Sequence, residues 1–351
     1  MQSRIQSGTG YKVSEIEIPR ADWMVLNELA QDLPIDLRLG DEAGALNWLE
    51  AQGAKYSYAL STELHESMNT VCEGKDSSVL LITTEDPGNT IGSTPVDHLK
   101  PVENTLYQPD MCRGILVGAF ALHGYGYTSQ QYGVIFNNMV VAESQRSVEY
   151  VASNKNELGF HTEDSAFAEG DDGGMSPDIL SLHYFRNQEG VSTPVSTPNF
   201  SRLSDSMLES LRQEQFVIPN SPAQGGDPNQ TNNKVAVIFG DTDNPSVRYN
   251  ANFMPTPNDP PEVKKIVEAF TNHLHEQATI LVMQPGDILF INNRQTVHGK
   301  GKHGWEAPKG KGRWQRRLAL SKDLGRLEPF MEDSNSRIVS PDLYLKVKGS
   351  R

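Results

Sequence analysis

Two residues with metal-binding side chains lie two positions apart in the segment LGFHTEDSAF, residues 158–167. On a β-strand, residues i and i+2 project from the same face, so the imidazole of His161 and the carboxylate of Glu163 would converge on one point. They would supply two of the three ligands of the 2-His-1-carboxylate site, which binds non-haem Fe(II) and leaves coordination positions open. Taken alone, this spacing more often marks an exposed polar strand edge.

A third ligand has to come from elsewhere, and its context singles out His298. This histidine follows a Pro-Gly turn and the hydrophobic run GDILFINN, which predicts a strand. Arg313 comes fifteen residues later, in GRWQRRLAL, and is followed by Arg316 and Arg317. An arginine fork can bind the distal carboxylate of 2-oxoglutarate while the keto acid end of that molecule chelates the metal. The alternative for these arginines is a solvated basic loop.

Six short segments follow one another between about Gly114 and Ser321: SQQYG, LGFHTEDSAF, PDILSLHYFRN, VRYNANF, GDILFINNRQTVHG and RWQRR. With them the chain resembles the clavaminate synthase-like group of Fe(II)/2-oxoglutarate oxygenases, in particular the hydroxylases of free arginine, asparagine or lysine. The resemblance implies an α/β fold with a mainly β core, a distorted double-stranded β-helix (jelly roll) with surrounding helices. It implies one oxygenase domain over residues 1–351, in which a mixed helical part, residues 1–110, packs on a jelly-roll core of about residues 111–325.

The resemblance also implies a catalytic centre and a co-substrate site. His161, Glu163 and His298 would hold Fe(II). Arg313 would bind the distal carboxylate of 2-oxoglutarate, and Thr193 would add a hydroxyl to that site. With O2, such a centre hydroxylates an unactivated C–H bond. Because Glu163 keeps the carboxylate that related halogenases replace, halogenation is not expected.

The amino-acid substrate has its own implied residues. Gln130 and Glu163 would hold the amino group of a free L-amino acid, and Arg317 its carboxylate. Arginine hydroxylases of the group carry two carboxylates on the strand that matches VRYNANF, where this chain has Asn250 and Asn252. Two amides suit a neutral polar side chain, such as that of citrulline, glutamine or asparagine, better than a buried cation. Arginine stays open, because two aspartates in the nearby FGDTDNP segment offer negative charge.

Other functions remain open at this point. The same residues would also serve desaturation or cyclisation in a natural-product pathway. A non-catalytic jelly-roll protein that binds a metal or a carboxylate is a second alternative, although it would be expected to lose part of the triad. A hydrolytic zinc enzyme with the same ligands is a third, and it would leave Arg313 and Arg317 without a role.

Composition excludes several classes of partner. With 31 basic and 45 acidic residues the formal charge is −14, which argues against binding to nucleic acid or to an anionic membrane. The longest apolar run, GILVGAFAL at residues 114–122, falls well short of the roughly 20 residues of a membrane-spanning helix. Two cysteines and no visible secretory signal predict a cytoplasmic protein without a disulfide framework. The oligomeric state is open.

The elements that must position these residues can be read from periodicity. Helical spacing is found at residues 22–33, where Asp22 would be the N-cap, and at 42–51, 59–69 and 262–276. Strands are predicted at residues 78–84, 114–121, 179–185, 235–240, 246–253, 278–283 and 287–292. Residues 218–234 have almost no apolar side chains and form a candidate lid loop.

Overall fold

The computed structural model describes residues 5–8, 13–96, 106–141, 156–168, 174–219, 234–303 and 308–349. The α-helices are α1 Arg20–Gln31, α2 Ile35–Arg38, α3 Glu42–Tyr56, α4 Thr62–Glu73, α5 Gln108–Ala119, α6 Asp205–Arg212, α7 Pro261–Glu276 and α8 Pro341–Gly349. The strands are β1 Ile5–Gly8, β2 Val13–Glu17, β3 Val79–Thr83, β4 His123–Tyr127, β5 Asn137–Val140, β6 Leu158–His161, β7 Ile179–Arg186, β8 Thr193–Ser196, β9 Ile238–Phe239, β10 Ser246–Val247, β11 Thr279–Leu281, β12 Asp287–Asn292, β13 Val297–Lys300, β14 Trp314–Ser321 and β15 Ile338–Val339.

Two large sheets build the centre of the molecule. One has the strand order β15-β4-β14-β7-β12-β3-β2, with β5 also paired to β14, and the other has the order β1-β11-β8-β13-β6. All pairings in them are antiparallel except β2 with β3 and β4 with β15. This mixed α/β structure, with its mainly β core in two sheets, confirms the predicted jelly-roll class of fold.

Alternation along the central strands gives the larger sheet two apolar faces. One face packs against the smaller sheet, through a shared cluster that includes Leu180, Leu182, Val195, Leu281 and Leu289. The opposite face is covered by α1, α3, α4 and α5, through a cluster that includes Leu26, Leu49, Leu64, Ile115 and Phe290.

The prediction of a buried strand at residues 114–121 is wrong, because most of this segment belongs to α5. A short, wholly buried apolar run has no polar face, so periodicity does not separate a strand from a helix. The glycines explain the helix: a Cβ on Gly118 would lie 2.2 Å from the carbonyl oxygen of Glu50, and one on Gly53 would lie 1.9 Å from that of Ile115. Glycine therefore lets α3 and α5 approach backbone to backbone.

The other predicted elements are present, and all except the strand at residues 287–292 have shifted bounds. Asp22 is not the N-cap of α1, because the helix begins two residues earlier; its carboxylate accepts a hydrogen bond from the Ser61 backbone instead. The strands predicted at residues 235–240 and 246–253 shrink to the two-residue pair β9 and β10. Most of the candidate lid, residues 220–233, lies outside the described residues. Among the helices of the described ranges, none has the length and apolar content to span a bilayer.

Candidate active site

Neighbouring strands bring the two predicted histidine ligands together. β6 and β13 are antiparallel partners in the smaller sheet, and His161 lies directly opposite His298 in their register. The two imidazole rings are 4.3 Å apart between centroids. The pairing of the strands therefore places on one face two side chains that are far apart in the sequence.

Glu163 reaches the same point by a different route. The sequence predicted that it shares a strand with His161, which is wrong, because β6 ends at His161 and Glu163 lies in the turn that follows. Asn293, in the turn between β12 and β13, fixes that turn from outside. Its Oδ1 accepts a hydrogen bond from the Glu163 backbone N–H at 2.7 Å, and its Nδ2 donates to the Glu163 carbonyl at 3.1 Å.

The three side chains form a compact donor set. One ligand atom from each of His161, Glu163 and His298 lies within 4.8 Å of the others. Nδ1 of His161 lies 2.9 Å from the Gly159 carbonyl, which only accepts, so the proton is on Nδ1 and Nε2 presents a lone pair. Burial, with the nearby charge of Arg317, lowers the pKa of His298 well below its usual value, so this ring is neutral. Two imidazoles and one carboxylate fit Fe(II).

Arg313, just before β14, has a buried and incompletely paired guanidinium. Its Nη2 donates to Oε1 of Gln315, and its backbone N–H donates to Glu189 at 2.8 Å. Its Nε and Nη1 have no hydrogen-bond partner within the described residues. Burial lowers its pKa, but arginine remains charged at neutral pH. A buried cation with unpaired donors fits a carboxylate ligand such as that of 2-oxoglutarate.

Thr193 is linked to the Arg313 guanidinium by Tyr184, which contacts both residues. The Tyr184 ring centroid is 6.0 Å from the guanidinium carbon of Arg313, and the Tyr184 hydroxyl is hydrogen-bonded to the Thr193 hydroxyl at 2.6 Å. Thr193 opens β8, which pairs with β13 so that Val195 lies opposite His298. The predicted co-substrate residues and the histidine pair are thus linked through two adjacent strands.

Arg317 is the centre of a polar network beside the metal-binding residues. One of its terminal nitrogens donates to Oε1 of Glu163, and the other donates to the side-chain oxygens of Gln130 and Asn137. Gln130 in turn donates from Nε2 to Oδ1 of Asp164 at 3.3 Å. Burial and the adjacent Glu163 charge raise the pKa of Asp164 to about 7. The structure thus brings together the three residues predicted to hold an amino acid.

Asn250 and Asn252 lie beside β6, where Asn250 forms an isolated bridge with His161. Oδ1 of Asn252 accepts a hydrogen bond from the Gly159 backbone at 2.8 Å, and its Nδ2 donates to Oδ1 of Asn250 at 3.0 Å. The Asn252 amide therefore fastens the strand that carries His161. Substrate contacts of both asparagines stay a prediction.

Sequence reasoning missed four residues that hold the site together: Asn137, Asp164, Tyr184 and Asn293. Tyr184 had a usable signal, because alternation along β7 places it on the face of Leu182. The other three act through side-chain hydrogen bonds across distant segments, and no local pattern marks them. Among the arginines of RWQRR, Arg316 faces away from the site, toward Asp110.

Known proteins agree with this geometry. Residues 107–319 match the family model described as taurine catabolism dioxygenase TauD, TfdA family. Enduracididine beta-hydroxylase of Streptomyces hygroscopicus is 24% identical over 318 residues, which are 83% of this chain and 90% of that protein. L-ornithine/L-arginine 3-hydroxylase of Catenulispora acidiphila is 22% identical over 249 residues, which are 64% and 71% of the two chains.

Solved structures share the fold at low sequence identity. Non-haem iron oxygenase OrfP in complex with Fe and alpha-ketoglutaric acid has a TM-score of 0.75 and 20% identity, over 93% of this chain and 99% of that one. Asparagine oxygenase in complex with Fe(II), hydroxyasparagine and succinate has a TM-score of 0.76 and 16% identity, with the same coverage. Since the family model spans more than half of the sequence, this chain belongs to the TauD/TfdA family of non-haem Fe(II)- and 2-oxoglutarate-dependent dioxygenases.

Proposed function

We propose that this protein hydroxylates an unactivated C–H bond of a free L-amino acid. The observation that carries the proposal is a pair of arginines four positions apart, Arg313 just before β14 and Arg317 within it. Arg313 has unpaired donors for a dicarboxylate, and Arg317 lies against Glu163 and Gln130 next to the histidine pair. A co-substrate and an amino acid can then be held on either side of one metal ion.

His161, Glu163 and His298 are the proposed metal ligands. Fe(II) with 2-oxoglutarate supplies the oxidising chemistry, in which O2 converts the co-substrate to succinate and CO2 and adds one oxygen atom to the substrate. The protein contributes fixed ligand geometry. The Gly159 carbonyl sets the tautomer of His161, and Asn293 holds the turn that carries Glu163.

Arg313 is the proposed anchor of 2-oxoglutarate, and Thr193 acts beside it. Because Nε and Nη1 of this buried arginine lack partners within the described residues, a carboxylate beside the guanidinium would gain charge-assisted hydrogen bonding that the protein does not supply. The Tyr184–Thr193 hydroxyl pair offers neighbouring hydrogen-bonding groups. Together these groups would orient the keto acid end toward the metal.

Gln130, Glu163 and Arg317 are the proposed contacts to the substrate backbone. A carboxylate that binds Arg317 would replace protein acceptors that this side chain now uses. The released oxygens of Glu163 and Gln130 would then accept hydrogen bonds from the substrate ammonium. The exchange conserves hydrogen bonds, so it needs no buried group to be left unpaired.

The substrate side chain is proposed to be neutral and polar, with arginine as the alternative. Oδ1 of Asn250 already accepts a hydrogen bond from Asn252. The Nδ2 of Asn250 makes no hydrogen bond within the described residues, so it can donate to a carbonyl oxygen of citrulline, glutamine or asparagine. The named relatives leave both classes in play, since one acts on arginine and a structural neighbour is an asparagine oxygenase.

The proposal extends to the domain organisation, the cellular location and the partners of the protein. A single domain is supported by β2 and β3, which extend the sheet that carries β14, and by the cluster that joins α1, α3 and α4 to β12. A cytoplasmic location is supported by two free cysteines, Cys72 and Cys112. The acidic balance supports a small-molecule substrate and no nucleic-acid partner. A lid at residues 218–234 rests on the sequence alone.

The roles are tested by iron content and succinate release, with His298→Ala compared to His65→Ala as a matched histidine control. His65 lies on α4, where its ring contacts the Ser57 carbonyl. We expect His298→Ala to lose iron and all amino-acid-stimulated succinate release, while His65→Ala keeps both. Full iron loading and full activity in His298→Ala would contradict the assignment.

A further inference from the structure

Asp164 lies at the amino-acid end of the site, and none of the roles above uses it. Its side chain is 5% exposed, and its backbone has φ 52°, in the left-handed region. A buried carboxylate in that conformation, directly after Glu163, costs free energy on both counts. Its Oδ1 accepts a hydrogen bond from Nε2 of Gln130 at 3.3 Å.

Two neighbours give the Gln130 amide one orientation. Arg317 only donates, so the Gln130 atom that faces it has to be the oxygen. The Asp164 oxygen accepts, so the atom that faces it is the NH2 group. When a substrate carboxylate replaces Gln130 at Arg317, Oε1 becomes available to a further donor, and Asp164 is then the neighbour that keeps the amide in this orientation.

We propose that Asp164 is a positioning residue that holds the Gln130 amide with its oxygen toward the substrate, so that the site selects compounds with a free α-ammonium group. The inference rests on the proposed function. With the amide flipped, the Gln130 NH2 group would face the ammonium, donor against donor. Asp164 acts through Gln130 and touches no reacting atom.

The test is Asp164→Asn, which keeps the size of the side chain. Asparagine also tolerates the left-handed backbone, but it can donate as well as accept, so it no longer fixes the amide. Binding is measured by calorimetry to protein loaded with Fe(II) and 2-oxoglutarate, without oxygen. The probes are L-citrulline, L-arginine and the des-amino analogue of each.

We expect the preference for the amino acid over its des-amino analogue to fall about tenfold in Asp164→Asn, with the Kd of the analogue unchanged. Asp259→Asn is the control. Asp259 is a buried aspartate outside the proposed site, and its Oδ2 accepts a hydrogen bond from the Thr256 backbone N–H at 2.7 Å. The preference of this variant should match that of the wild type. In a Gln130→Met background, Asp164→Asn should change the preference no further.

An unchanged preference would overturn the inference, whether both Kd values stay the same or both weaken equally. If Asp164→Asn does not fold, Asp164→Gly removes the carboxylate while suiting the left-handed backbone, and the same expectations apply. The failure of the proposed function looks different. A wild-type protein that binds none of the amino acids would contradict both, whereas binding with an unchanged preference in the variant contradicts only the role of Asp164.

Discussion

Arg313, just before β14, and Arg317, within that strand, lie four residues apart, yet their surroundings are opposite. The Arg317 guanidinium donates to three protein side chains, those of Glu163, Gln130 and Asn137. Two guanidinium nitrogens of Arg313 have no partner within the described residues, although its side chain is more deeply buried. One site is internally satisfied and the other is incomplete.

The difference separates two ways of binding an anion. An incomplete buried cation gains its full hydrogen-bond energy when a carboxylate arrives, so Arg313 should contribute strongly to affinity. A cation that is already hydrogen-bonded within the protein only exchanges partners when a carboxylate arrives. Arg317 should therefore contribute less to affinity and more to the orientation of the substrate. The contrast accords with a co-substrate common to all turnovers and an amino acid that must be distinguished from others.

The largest expected effect is at Arg313. Arg313→Gln removes the charge and the fork, and we expect the KM for 2-oxoglutarate to rise about 100-fold, with a smaller change in the KM for the amino acid. Succinate release at varied 2-oxoglutarate measures it. Arg186→Gln is the matched control, because Arg186 lies on β7 against the Trp314 ring and donates to Thr94 and Gly92. An unchanged 2-oxoglutarate KM in Arg313→Gln would refute the assignment.

Arg317 should give the reciprocal pattern with a smaller magnitude. Because protein acceptors already pair with it, we expect Arg317→Gln to raise the KM for the amino acid about tenfold and to leave the KM for 2-oxoglutarate within about twofold. The measurement is succinate release at varied amino acid. A variant that mainly loses 2-oxoglutarate affinity would show that the two arginines have been assigned the wrong way round.

Asn252 and Asn250 differ in the same way as the two arginines. The Asn252 amide is hydrogen-bonded within the protein, whereas the Asn250 Nδ2 group is available to a ligand. Asn252→Ala removes the bond to Gly159 and should lower the free energy of unfolding by about 1–2 kcal/mol. Asn250→Ala should change the ranking of amino-acid substrates at a smaller cost in stability. Denaturant unfolding and substrate competition measure the two effects. Equal substrate rankings in wild type and Asn250→Ala would remove Asn250 from the substrate pocket.

The prediction with the smallest effect on activity concerns Glu42, whose carboxyl lies near Arg316, the arginine that faces away from the site. Burial raises the pKa of nearby Glu42 from 4.5 to about 7, and the Arg316 charge only partly opposes it. A raised carboxyl pKa means that the folded state binds the proton more tightly, so stability is full below about 4.5 and is lost as pH rises to about 7, on the order of 3 kcal/mol in total. Glu42→Gln should flatten this slope. An equally steep fall in the variant would place its cause elsewhere.

The sequence singles out His161, Glu163, His298 and the two arginines because each carries a local signal. The His-x-Glu spacing, the strand before His298 and the arginine-rich RWQRR segment are all visible in short windows. The structure brings these side chains together through the pairing of β6 with β13. Strand β12 was predicted with its observed bounds, because its apolar run is closed by a Pro-Gly turn and two asparagines.

What the sequence misses depends on contacts between distant segments. Asn293 orients Glu163 from 130 positions away, and no local pattern predicts that hydrogen bond. Helix α5 was mistaken for a strand because its apolar residues give no periodic signal, and the glycines that fit it against α3 have meaning only in the packed state. Periodicity reports which side chains are buried, but it does not report which segment buries them.

The central claim is the oxygenation of a free amino acid, and one assay tests it most directly. Fe(II)-loaded protein with 2-oxoglutarate under air is offered citrulline, glutamine, asparagine, arginine and lysine, while succinate and substrate mass are followed together. We predict that one amino acid gains a single oxygen atom with matching succinate, and that it is a neutral one. A substrate that loses two hydrogens would instead indicate desaturation or cyclisation. Iron-loaded protein that neither modifies any of these amino acids nor releases succinate in their presence would contradict the account.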